Sequence, residues 1–469
     1  MTDDEKRLER VFGIKSQGNT PSERAKTSDM LFVRSQDELS LFREGAKGRQ
    51  LSAWEAFDTF GFELLEEAVC EGAAIIVHSE DEPARTFKER RISLGLSTDD
   101  IADALQLDET QIDDIENSHK RNPIRILELV AQHLGLDERK ITFKRDLQGD
   151  ADLALRLKDY KTTYTLLSSK TVLSFTEAAW IIAVEDRLQE LLGTKKKINF
   201  DPSDEYGDAY HPAFKIAYDL AHETRKKLGL SQDEPILSLR ELCIDKLSLP
   251  VVQCKLPLSI AAATIANNKS RGIVVNTDGK NQNVWVQRAT VAHELGHLLW
   301  DPDQKLRKIS VDNYKDIESG WSIHQERGSE FVEQRANAFA AEFLAPMEIA
   351  ESIYRKEGIR TVMEKFGVSF FLARYQIWNA TYRTENLESI TVDNTEETQE
   401  WSAREFYTVD WFPIKSVPIS RRGYFAGLVR SAEKKNLISK DTAVQYLHCS
   451  EDEYSANKES IEDIYPIKV

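Results

Sequence analysis

The segment Arg288-Ala-Thr-Val-Ala-His-Glu-Leu-Gly-His297 constrains this chain more than any other stretch. On a helix, residues four apart stand one above the other on a single face. His293 and His297 can therefore offer two imidazoles to one divalent cation. Glu294 lies one step round the helix, close enough to meet a water at that cation without being a ligand. That is the HExxH arrangement of a metal-dependent hydrolase, with the glutamate as general base. The other side of the helix, Val291, Leu295, Leu298 and Leu299, is apolar and anchors it in a core. Such a helix needs a second element that completes the coordination.

A catalytic zinc takes three protein ligands and keeps one position open. The helix predicted over 330–345, ended by Pro346, can supply the third. Glu333, Ala336, Asn337, Ala340, Ala341 and Leu344 fall on its i, i+3, i+4 rows. Small residues on that stripe let the two helices approach closely, which a carboxylate needs to reach the metal. Glu333 is thus the favoured ligand, with Glu326 and Glu330 as competitors. Asn337, one turn on, is placed to orient Glu333 or a histidine. His324 and Tyr314, between the two motifs, are candidate oxyanion donors. A nitrogen and oxygen donor set suits Zn²⁺, with Mn²⁺ as the alternative.

The rest of the chain sets the context. It has 469 residues, room for two to four domains, and 41% hydrophobic residues, enough for real cores. Its 62 basic against 79 acidic residues leave a net charge of −17, which excludes a protein that coats nucleic acid non-specifically. Cys70, Cys243, Cys254 and Cys449 form no CxxC pair, so neither a disulfide framework nor a cysteine zinc site is expected. No apolar run reaches membrane-spanning length and the N-terminus lacks a signal region, so a soluble, cytoplasmic protein is expected, without membrane contact. No phosphate-binding glycine loop occurs.

Read along the chain, residues 1–80 have no assignable role. Residues 1–30 are polar and expected to be poorly ordered, 51–70 form a helix and 73–78 a strand. A helical set at 84–145 is followed by a connector at 146–205, where Ser174 and Glu177 have capping-box spacing. Residues 206–385 read as one α+β unit, and a helical tail occupies 401–469. The fold class is α+β, mostly helical.

Five segments in order resemble the ImmA/IrrE family of HExxH metallopeptidases: 217–229 (AYDLAHETRKKLG), 235–242 (PILSLREL), 272–276 (GIVVN), 288–297 (RATVAHELGH) and 333–346 (EQRANAFAAEFLAP). The tail at 437–447 (LISKDTAVQYL) resembles a helical segment that follows this domain in many members. The resemblance implies a zincin-like peptidase domain, ligands at His293, His297 and Glu333, and a base at Glu294. It also implies a regulatory endopeptidase, cleaving a helix-turn-helix repressor or antitoxin-like protein in a stress, mobile-element or phage-defence response. Arg335 departs from the pattern, because members often carry an acid there.

Residues 85–136 resemble the XRE/Cro-type helix-turn-helix module, with 108–118 as the recognition helix. Thr110, Gln111, Lys120 and Arg121 are the candidate contacts to DNA or a partner. From Ser97 to Glu116 there are eight acids and no Lys or Arg, the wrong sign for a surface facing phosphates. DNA is therefore disfavoured against a protein partner. A transcriptional regulator whose peptidase-like domain senses without turnover is the competing function, and a homodimer is left open.

Overall fold

In the computed structural model, residues 2–77, 79–142, 167–196, 200, 213–266, 270–301, 311–313, 331–381, 399–405 and 411–467 are described. They are mostly helical with two small sheets, an α+β fold. The chain divides into two compact units, Met1–Lys195 with Thr408–Val469, and Lys196–Tyr407.

The first unit opens with α1 (Asp3–Phe12) and α2 (Pro21–Thr27). Each starts with a capping box, Thr2 with Glu5 and Thr20 with Glu23, worth about 1 kcal/mol per cap. Val11, Phe12 and Ala25 are fully buried. The expectation of poor order over 1–30 is corrected: charge lies on the outer faces while one apolar stripe is packed. Strands β1 (Leu31–Arg34), β2 (Glu38–Leu41), β3 (Arg49–Ser52) and β4 (Ala74–Ile75) form an antiparallel sheet in the order β3-β1-β2-β4. The expected strand at 73–78 shrinks to the two residues of β4, and His78 lies outside the described residues. The expected helix at 51–70 is α3 (Ala53–Cys70), because Leu51 pairs with Phe32 in the sheet. Gly61 interrupts α3 at φ +80, a backbone conformation open chiefly to glycine.

Next come α4 (Ala84–Leu94), α5 (Thr98–Leu105), α6 (Glu109–Ile115) and α7 (Ile124–His133). Ser97 caps α5, and Ile101, Ile112 and Ile115 are buried. Helix α8 (Ser169–Leu192) begins at the cap Ser168, so the spacing of Ser174 and Glu177 does not mark its start. Both lie inside it: Ser174 donates to the Lys170 carbonyl and Glu177 pairs with Arg421 at 2.8 Å.

The second unit contains α9 (Ala213–Lys227), α10 (Leu239–Leu247), β5 (Val251–Cys254), β6 (Ile260–Ala266), β7 (Arg271–Asn276), α11 (Val284–Trp300), β8 (Val311–Asn313) and α12 (Phe331–Leu344). It continues through α13 (Met347–Glu357), α14 (Ile359–Phe366), α15 (Phe370–Ala380) and α16 (Gln399–Glu405). Its sheet runs β5-β7-β6-β8, parallel between β5 and β7 and antiparallel elsewhere. Helices α9 and α11 both pack on α12. The chain then returns to the first unit as α17 (Tyr424–Lys434), α18 (Lys440–Leu447) and α19 (Glu451–Ile464). No helix among the described residues is long and apolar enough to cross a membrane.

Candidate metal centre

Helix α11 carries both histidines and is buried along its length from Arg288 to Trp300. The Asn283 side chain caps it by accepting from the Trp285 and Val286 amides. The Arg288 guanidinium pins its first half, donating to the Gly367 carbonyl at 2.9 Å and the Ile236 carbonyl at 2.7 Å and pairing with Glu405. Helix α12 packs on α11, and its Ala336, Ala340 and Ala341 are buried. Gly296 lets the two helices meet closely, since a Cβ there would stand 2.8 Å from the Phe339 ring.

This pairing brings three donor atoms together. His293 Nε2 and His297 Nε2 stand 3.1 Å apart. Glu333 Oε2 lies 3.4 Å from the first and 3.6 Å from the second. His293, His297 and Glu333 are the group that could hold a metal ion among the described residues. Donors held tetrahedrally at zinc bond lengths stand about 3.3 Å from one another, so the triangle has the right size.

The far side of each imidazole decides what its inner nitrogen can do. His293 Nδ1 donates to Asn337 Oδ1 at 3.0 Å, and His297 Nδ1 donates to Asp301 Oδ2 at 2.8 Å. Both partners are oxygens that only accept, so each neutral ring presents a lone pair at Nε2. Two lone pairs facing across 3.1 Å, beside a carboxylate, repel unless a cation lies between them. The residues therefore fit a divalent metal. The Glu333 side chain keeps 23% exposure, while its Oε2, the atom that faces the imidazoles, is buried.

Glu294 is fully buried next to this triangle. Its Oε2 accepts a hydrogen bond from Thr264 Oγ1 on β6, a contact that sequence spacing did not reveal. Asp301 was missed too, although it stands four residues after His297, the same offset that joins the two histidines. Arg335 pairs with Asp301 inside the protein. Burial pushes its guanidinium down to about 10, which leaves it charged at neutral pH. His324, Tyr314, Glu326 and Glu330 lie outside the described residues.

The candidate contacts near α6 are not part of this site. Thr110 is exposed. Gln111 Oε1 accepts from the Asp108 amide as half of a capping box. Lys120 pairs with Asp114 at 3.6 Å and Arg121 with Asp37 at 2.8 Å.

No curated protein and no solved structure matches the chain. A family model described as the IrrE N-terminal-like domain, Peptidase M78, matches residues 245–377. That span holds His293, Glu294, His297, Asp301, Glu333, Arg335 and Asn337, and begins after the resembling segments at 217–229 and 235–242. Residues 245–377 are thus similar to the peptidase domain of the ImmA/IrrE metallopeptidases.

Proposed function

We propose that the chain is a zinc-dependent regulatory endopeptidase in which His293, His297 and Glu333 hold the metal. The observation that carries the reading is the facing pair of Nε2 lone pairs closed by the Glu333 carboxylate. A zinc ion held there would supply Lewis acidity toward a peptide carbonyl and make water acidic near neutral pH. Glu294 takes the proton from the attacking water and delivers it to the departing amine nitrogen. The Thr264 hydroxyl holds one carboxylate oxygen during that transfer. Asn337 and Asp301 keep the two imidazoles turned inward.

The substrate class follows from the family likeness: a helix-turn-helix repressor or antitoxin-like protein. Any small helix-turn-helix protein found encoded beside this gene would be the first substrate to test. Elemental analysis of the purified chain is expected to give one zinc per molecule. Chelation should remove both the metal and cleavage, and added Zn²⁺ should restore both. A chain that takes up no divalent metal would falsify this reading.

For the helix-turn-helix segment we favour a protein-docking role over DNA reading. Asp99, Asp103, Asp108, Glu109 and Asp113 are all exposed on α5, α6 and the turn between them. The nearby cations Lys120, Arg121 and Arg125 are each drawn to an acid of the same unit, Asp114, Asp37 and Asp441. No retention of duplex DNA is expected even at low salt. Binding that weakens steeply as salt rises, the signature of released counterions, would restore the DNA reading.

A further inference from the structure

We propose that Arg335 is a positioning residue of the metal centre: acting through Asp301, it fixes the His297 imidazole and locks the helix bearing Glu333 to the helix bearing both histidines. The inference rests on the metal reading above.

Arg335 follows Glu333 by two residues on α12, so the two side chains leave the helix about 200° apart. Glu333 reaches the imidazole nitrogens, while Arg335 goes round to the end of α11. There Asp301 is the C-cap, its amide donating to the His297 carbonyl. One Asp301 oxygen meets the Arg335 guanidinium and the other accepts from His297 Nδ1 at 2.8 Å. Side chains of all three residues are more than nine-tenths buried.

The charges explain why an arginine belongs there. Arg335 sets a guanidinium against the equally buried Asp301 carboxyl group. Without the guanidinium, Asp301 would be a buried carboxyl group backed only by an imidazole, an unfavourable arrangement. It would then turn away, and His297 would lose the acceptor that orients its ring. Outer partners of metal-bound histidines typically govern metal affinity by 10–100-fold.

The test is zinc affinity of the full chain, measured by competition with a chromophoric chelator, together with the visible spectrum of the Co²⁺-loaded protein. Arg335→Gln is expected to bind zinc at least about 10-fold more weakly and to alter the Co²⁺ bands. Arg335→Lys, which keeps the charge, is expected to return to within about threefold of the parent. Asp301→Asn should show a loss of about 10–100-fold, and adding Arg335→Gln to it should cost nothing more, because the arginine acts through that carboxylate. Should Arg335→Gln not fold, Arg335→Met with and without Asp301→Asn carries the same comparison. Equal zinc affinity and an unchanged Co²⁺ spectrum in Arg335→Gln overturn the proposal while leaving the metal site intact. A parent chain that binds no zinc overturns both.

Discussion

Glu294→Gln should keep its zinc and lose cleavage, with kcat falling roughly 10²–10⁴-fold, the usual contribution of a positioned general base. The substitution preserves size and can still accept the Thr264 hydrogen bond through its amide oxygen. What disappears is the ability to take a proton at that position. Zinc should stay because Glu294 is not among the three converging donors. His297→Ala makes the contrast. It removes one donor and leaves Asp301 without the ring it holds, so metal and activity should vanish together. Zinc content and cleavage measured on both variants separate the two roles. Undiminished turnover by Glu294→Gln would remove the general-base assignment and leave the metal ligands untouched.

These roles were legible because they repeat at helical spacing. His293 and His297 are four apart, as are Glu333 and Asn337, so local periodicity alone puts each pair on one face. Asp301 obeys the same rule but falls where Pro302 signals the helix end, which hides its place on the histidine face. Thr264 could not be found that way. Its place depends on β6 pairing with β7, where Thr264 stands opposite Ile273, and one sequence holds no local record of such register. The N-terminus teaches a different lesson. Its charge density suggested poor order, yet Thr2 with Glu5 and Thr20 with Glu23 were capping signals in plain view. Ser174 and Glu177 had the same spacing without its meaning, because apolar residues precede them as well as follow and the helix runs through. Composition misled in the first case and a short motif in the second. In both, the apolar stripe on either side was the better guide.

Buried charge in the first unit was the least legible feature, and it carries the largest stability effect. Glu128 on α7 is fully buried between Arg34 on β1, at 3.3 Å, and Arg49 on β3, at 2.9 Å. Arg34 also donates to the Glu138 carbonyl at 2.9 Å and to Thr142 at 3.1 Å, and Arg49 donates to Thr442 on α18 at 2.8 Å. One carboxylate therefore bridges two guanidinium groups that stitch the sheet to α7 and to the returning tail. Nothing in the local sequence around any of the three marks it as interior. Glu128→Ala would take from two buried guanidinium groups the carboxylate that both contact, a loss of about 3–5 kcal/mol. In calorimetry of the full chain, zinc should raise the transition of the unit that holds the metal site and leave the other in place. Glu128→Ala should lower the zinc-insensitive transition by roughly 10 °C and spare the zinc-sensitive one. Replacing all three residues with apolar side chains should recover only part of that loss, because the Glu138 carbonyl, Thr142 and Thr442 would still lose donors. A Glu128→Ala chain whose zinc-insensitive transition does not move would mean that water or rearrangement compensates the two arginines, and that the triad does not hold this unit together.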